Sequence, residues 1–298
     1  MSSGMRKKPA FHKQIAEKLL PDRYSSQDLV CESYTLRYNY YLSPPLLVKK
    51  MKSTRYLFCL TFIAAFITST AVKAQLKVFF PSKDEVMVTA DWYPISSKLP
   101  VILLCHQNGS SRGEYNETAL RLNKFGFNCL AIDQRVGKEI NGVKNETAAD
   151  AIEKKLNPSV EDAEKDILAA IDYLQTQYRQ KIIIIGSSYS ASLALKIAAT
   201  NDRVRAVVVF SPGEYFTDKD FIKSSIKTLD KPVFATSSRS EADAVTELLQ
   251  DVNSRIKIQY IPKKAGDHGS KVLWTTAPEN QEYWIALMSF LGKLQTPN

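Results

Sequence analysis

The sequence predicts an α/β protein with a mostly parallel eight-stranded sheet and helices on both faces, and three observations carry that prediction. Strand-like and helix-like segments alternate from residue 75 to the C-terminus. The run Lys181-Ile-Ile-Ile-Ile-Gly is apolar without a break, as a central parallel strand covered on both faces must be. After Gly186-Ser-Ser-Tyr-Ser the chain passes at once into Ala191-Ser-Leu-Ala-Leu-Lys-Ile-Ala-Ala, which has helical spacing.

Residues 76–80 and 86–93 alternate as an antiparallel pair around the turn Pro81-Ser-Lys-Asp. Residues 101–105 read as a buried strand, 115–124 as an amphipathic helix stopped by Gly126, and 127–132 as the next strand. A long helix over 160–178, opened by Pro158-Ser159, leads into the isoleucine strand. Strands at 204–210, 233–236 and 256–261 complete the eight, with helices at 242–252 and 279–294. Between Gly213 and Lys231 there is too little chain for a large cap domain. The longest insertion, residues 136–157, is polar around Asn141-Gly142 and reads as a mobile flap over the site or as a plain surface loop.

The formal net charge of +9 is unevenly placed. Residues 1–74 hold 12 of the 40 Lys+Arg and 4 of the 31 Asp+Glu, so +8 belongs to them and the rest is almost neutral. Basic charge therefore implies no nucleic-acid partner for the main domain. Met51-Lys-Ser-Thr-Arg is a short basic segment, and residues 56–72 form an apolar run of 17. Val72-Lys73-Ala74 then supplies the small or aliphatic residues that a signal peptidase reads. The expectation is a leader at 51–74, a mature chain from Gln75, and a secreted or periplasmic protein. An uncleaved leader is the alternative and the one route to a membrane, although Thr68, Ser69 and Thr70 dilute a run already short of the ~20 residues of a span. Residues 1–50 read as a mis-called or disordered extension before a true start at Met51. Of four cysteines, only Cys105 and Cys129 fall in the main domain. Adjacent parallel strands disfavour a disulfide between them, so both are expected as buried thiols.

The chemistry concentrates where strands end. A serine at the apex of a strand-turn-helix needs small residues two places before and after it. Gly186 and Ser190 so flank Ser188, whereas Ser187 would be flanked by Ile185 and Tyr189. The plain alternative is a serine that caps the helix. After the third strand comes His106-Gln-Asn-Gly-Ser-Ser-Arg-Gly-Glu-Tyr, a polar loop suited to supply one of two backbone N–H donors for an oxyanion. Asn108, or else Gln107, is the candidate there, with the N–H of Tyr189 as the second donor, and His106 is expected to hold the loop. Of three histidines only His268 remains as a base, on the loop after the last strand. Glu241 and Asp243 are candidate carboxylates to orient it, with Glu214 a remoter third. Ser240-Glu-Ala-Asp matches a capping box, which gives Asp243 a structural task and leaves Glu241 for the histidine.

Together the Gly186–Ser190 turn, the His106-Gln-Asn-Gly-Ser-Ser-Arg loop, Ala131-Ile-Asp-Gln-Arg and Asp267-His268-Gly269 resemble an α/β-hydrolase. The likeness is to the small dienelactone-hydrolase-like or esterase-like members and covers residues 75–298. Ser190 in place of the last glycine and the absence of a Gly-x-x-Asp acid motif depart from the pattern. The resemblance implies strand order 1-2-4-3-5-6-7-8, a chain order of serine, acid and histidine, and neither metal nor organic cofactor. The resulting expectation is an exported serine hydrolase with Ser188, His268 and Glu241 as catalytic residues. Its substrate would be a short acyl ester, as a small molecule or at a polymer edge. Peptidase or thioesterase work on the same residues, or non-catalytic binding on the scaffold, are the alternatives. The sequence carries no signal for an oligomeric state.

Overall fold

The computed structural model describes residues 75–295. The expected leader at 51–74 and the extension before it, with His12, Cys31 and Cys59, lie outside the described residues. Among the described residues no helix is long and apolar enough to cross a membrane.

Eight strands form one sheet: β1 (Leu76–Pro81), β2 (Met87–Tyr93), β3 (Val101–Cys105), β4 (Asn128–Ile132), β5 (Ile182–Ser187), β6 (Val204–Phe210), β7 (Val233–Thr236) and β8 (Lys257–Tyr260). Their spatial order is β1-β2-β4-β3-β5-β6-β7-β8, as the resemblance implied. The β1–β2 and β2–β4 pairs are antiparallel, and every pair from β4 to β8 is parallel. Seven α-helices accompany them among the described residues: α1 (Asn116–Lys124), α2 (Glu146–Glu153), α3 (Ala163–Gln177), α4 (Tyr189–Thr200), α5 (Phe221–Ser225), α6 (Ala242–Leu248) and α7 (Asn280–Gln295).

The isoleucine run of β5 is apolar throughout because the sheet has a core on each face. Ile182 and Ile184 join α3 and α4 through Ile167, Ile171 and Leu193. Ile183 and Ile185 point the other way, into a second core with Leu122 of α1 and Leu287, Phe290 and Leu291 of α7. Cys105 and Cys129 are buried free thiols on opposite faces of neighbouring strands, so no disulfide can join them.

Three elements differ from the sequence reading by more than a one-residue shift at an end. The long helix begins at Ala163 rather than 160, because Asp162 first accepts hydrogen bonds from the N–H and hydroxyl of Ser159 and closes a turn there. The helix expected over 242–252 ends at Leu248. The insertion at 136–157 is neither a flap nor a plain loop. It contains α2, capped by Asn145, whose Oδ1 accepts the Ala148 N–H at 2.8 Å. Thr147 and Asp150 accept backbone N–H groups of β2, at Thr89 (2.9 Å) and Met87 (2.8 Å), and lock the helix to the sheet. Between Gly213 and Lys231 the only α-helix is the five-residue α5, so this segment forms no cap domain.

Candidate active site

Five loops leave the carboxyl ends of β3, β5, β6, β7 and β8 and converge on one spot. β5 sits between β3 and β6, with Cys105 opposite Gly186 and Phe210 opposite Ser187. That register puts the loop after β3 on one side of Ser188 and the loop after β6 on the other. At Ser188 the chain turns from strand to helix within a single residue, with φ 58° and ψ −127°. Such a conformation costs a non-glycine residue on the order of 1–3 kcal/mol and persists only where packing imposes it. Gly186 permits it, since a Cβ there would lie 2.6 Å from the Ala191 Cα.

The three neighbouring serines separate by environment. Ser188 is 8% exposed, whereas Ser187 and Ser190 are fully buried. The Ser187 hydroxyl accepts the Ser270 N–H at 2.9 Å. Ser190 donates to the His106 carbonyl at 2.5 Å and accepts from Gln134 Nε2. The serine that stands where a glycine was expected therefore pins the loop after β3.

Ser188 Oγ lies 2.9 Å from His268 Nε2, and His268 Nδ1 lies 2.5 Å from Glu241 Oε1. The second oxygen of Glu241 accepts from Ser211 Oγ at 2.8 Å, from the Ser238 N–H at 3.1 Å and from Ser238 Oγ at 2.9 Å. This carboxylate can accept a proton-bearing Nδ1, which leaves the Nε2 lone pair facing the serine.

The other sequence candidates fall elsewhere. Glu214 accepts the N–H groups of Ile222 and Lys223 at the start of α5. Asp243 is exposed on α6 beside Thr246 and Glu247. The capping box belongs to Ser238 and Glu241, not to Ser240 and Asp243, because a short 3₁₀ turn, Arg239–Glu241, precedes α6. Gln107 cannot lend its N–H to an oxyanion, since that group donates to Glu114 Oε2 at 3.1 Å.

His106 organises the loop. Its Nδ1–H donates to the Gln107 carbonyl at 2.8 Å, and its Nε2 accepts the Gln134 N–H at 3.0 Å. The Gln107 carbonyl and the Asn108 N–H belong to one planar trans peptide and point in opposite directions. Tethering the carbonyl inward therefore aims the Asn108 N–H outward. The Tyr189 N–H, at the first position of α4, is one of the N–H groups that a helix start leaves without an internal acceptor. Gly137 brings the α2 insertion against this loop, where a Cβ would meet the Ser110 carbonyl at 2.2 Å.

A model of the dienelactone hydrolase family matches residues 86–260, more than half of the chain. The chain belongs to the dienelactone hydrolase family. Among solved structures it is similar to a dienelactone hydrolase from Anabaena variabilis, with 18% identity, a TM-score of 0.58, and coverage of 76% of this chain and 99% of that one. An esterase of Pyrococcus furiosus shares 19% identity with a TM-score of 0.56, over 74% of this chain and 92% of that one. A Pyrococcus horikoshii acylaminoacyl peptidase shares 16% identity with a TM-score of 0.55, over 78% of this chain but 43% of that one. These identities carry the fold. No curated protein matches the chain. Family membership makes this protein a hydrolase of ester-like substrates.

Within this dienelactone hydrolase family site, electrostatics follow the hydrogen bonds. Burial works to raise the Glu241 carboxyl, but bonds from His268, Ser211 and Ser238 outweigh it and hold it at about 2. The bond to Glu241 raises the His268 imidazole above its ordinary value, against the effect of burial. Among the described residues no group of three or more His, Cys, Asp and Glu side chains is placed to hold a metal ion.

Two residues escaped the sequence reading. Ser211, with φ 52°, donates to Glu241 and accepts the Gly269 N–H at 3.0 Å, and so joins the acid to the histidine loop. Tyr215 donates to the Ser211 carbonyl at 2.7 Å and sets its ring edge-on to His268, 6.3 Å between centroids. Burial and the nearby Glu241 charge push its phenol up to about 12, opposed by the Ser188 hydroxyl. Both follow β6 in an unremarkable Phe-Ser-Pro-Gly-Glu-Tyr, and only the neighbouring strands give them partners.

Proposed function

We propose that the protein is a serine esterase acting through an acyl-enzyme, and that it is exported. The observation that supports this reading is the hydrogen-bonded line Glu241–His268–Ser188, ending on the strained and solvent-reaching serine. Ser188 Oγ attacks the acyl carbonyl carbon while His268 Nε2 takes its proton. The N–H groups of Asn108 and Tyr189 receive the oxyanion. His268 then protonates the departing alcohol oxygen, and the same residue activates the water that hydrolyses the acyl-enzyme. Glu241 keeps the proton on Nδ1 and steadies the imidazolium. A site with no cap domain among the described residues suits short acyl groups or the edge of a larger polymer. The leader expected at 51–74 supplies the export half of the proposal, and the first described strand starts at Leu76, just beyond it.

A panel of short p-nitrophenyl esters, acyl thioesters and peptide anilides tests the reaction class. Turnover of the esters with saturation kinetics is the expected result. Hydrolysis confined to thioesters or anilides would move the assignment to a thioesterase or a peptidase. No turnover with any of them would favour a binding role.

A further inference from the structure

Beneath this site lies a carboxylate that the reaction outlined above does not use. Glu114 sits in the 3₁₀ turn Arg112–Tyr115 and is fully buried. Its oxygens meet neutral donors, the Gln107 N–H at 3.1 Å and the Ser270 hydroxyl at 2.6 Å. Burying a charge against neutral partners costs folding free energy, so its place calls for a reason. The partners supply one. Gln107 immediately precedes Asn108, and Ser270 follows His268 by two residues. The Ser270 N–H in turn donates to Ser187 Oγ, next to the nucleophile. The geometry points to Glu114 as a positioning residue that holds the oxyanion loop and the histidine loop in register around Ser188. This inference rests on the reading of Ser188 and His268 given above.

Two effects follow. The tether on the Gln107 N–H and the His106 bond to its carbonyl fix both sides of that residue, and with them the direction of the Asn108 N–H. The charge also acts on His268. Glu241 and Glu114 favour its protonated form and Lys271 opposes them, while the Tyr215 ring meets it edge-on. The buried Tyr115 and Tyr189 phenols are held protonated by burial, with the Glu114 charge adding to the effect.

Glu114→Gln and Glu114→Ala, assayed on a p-nitrophenyl ester across pH, separate the two effects. Glutamine can still accept from Gln107 and donate to Ser270, but it lacks the charge. Its acid limb of kcat/KM should move to lower pH, because an imidazolium with one anion fewer beside it loses its proton more readily. Alanine releases the tether, and kcat should fall about 10²-fold, the usual scale for an ångström of misplacement. KM should stay within about threefold, since a contact specific to the transition state is what is lost. An acid limb in Glu114→Gln that superimposes on that of the parent overturns the proposal. So does a loss in Glu114→Ala carried by KM alone. Should the alanine variant not fold, the glutamine profile decides. Failure of a fluorophosphonate to label Ser188 in the parent would instead sink the underlying reading, whereas a labelled parent with an unmoved profile sinks only this inference.

Discussion

Glu241 carries two tasks that the sequence divides between two residues. Its Oε1 faces His268, while its Oε2 closes the capping box on Ser238 and receives Ser211. Glu241→Gln can keep an oxygen on the serine side only by turning its NH₂ toward Nδ1, which forces the proton to Nε2 and removes the base. Turnover should then fall by up to about 10⁴-fold. Glu241→Ala should also lower stability by about 1–3 kcal/mol, because the buried donors around it lose their acceptor. Asp243→Asn, with no part in either network, should match the parent in kcat and melting temperature. Ester assays and thermal unfolding of the three variants check this, and a stable, active Glu241→Ala would refute it. Ser188→Ala should abolish fluorophosphonate labelling, and a label found on Ser187 or Ser190 would refute the assignment of the nucleophile. The pH profile follows from His268. A base must be neutral, and its bond to Glu241 raises its pKa, so activity should be lost as pH falls through a midpoint above 6.5. A limb below that value would mean that the histidine does not pair with the carboxylate in solution.

At the scale of elements, the α2 insertion behaves as part of the scaffold. Asn145 caps α2 and also donates to the Gln134 carbonyl at 2.9 Å and the Ser110 carbonyl at 3.3 Å. Asn145→Ala should therefore cost about 1–2 kcal/mol through the cap. For a domain of this size that lowers the melting temperature by roughly 2–8 °C. Glu153→Ala, at the exposed end of the same helix, serves as the control. An unchanged melting temperature for Asn145→Ala would show that the insertion is not anchored there. The insertion reads as a flap or loop because its apolar content is low, and α2 is held by Thr147, Asp150 and its cap Asn145 on backbone groups of β2 and of the loops after β3 and β4, with only the small Ala148 and Ala151 buried beside them. Periodicity finds helices that pack through apolar stripes, and it passes over a short one fixed by caps and backbone bonds.

For the whole molecule, the first strand among the described residues begins at Leu76, one residue after the expected mature terminus. The protein isolated from its native host should start at Gln75 and lie outside the cytoplasm, which intact-mass measurement of fractionated cells checks. Recovery of a chain carrying residues 1–50 from the cytoplasm would overturn export. The charge argument points the same way at this scale. The main domain is close to neutral, so substrate choice rests on the shape and hydrogen bonds of the site rather than on a long-range field.

What the sequence by itself determined is whatever depends on local pattern. The eight strands, the isoleucine core strand and the Gly186-x-Ser188-x-Ser190 turn were legible because burial on two faces and a strained turn each impose residue types on adjacent positions. Ser188 and His268 stand out as candidates by steric fit and by elimination among three histidines. What only the tertiary structure decided is which groups meet across the strand ends. The capping-box spacing selects Glu241 over Asp243, but the structure gives a different reason: a 3₁₀ turn before α6 brings Glu241 to His268 and makes Glu241 itself the closing residue of the box, and no spacing rule announces that turn. Ser211, Tyr215 and Glu114 acquire their partners from loops up to 156 residues away. Hydrogen bonds across such separations leave no periodic trace in a chain, because they constrain single side chains and not a repeating face.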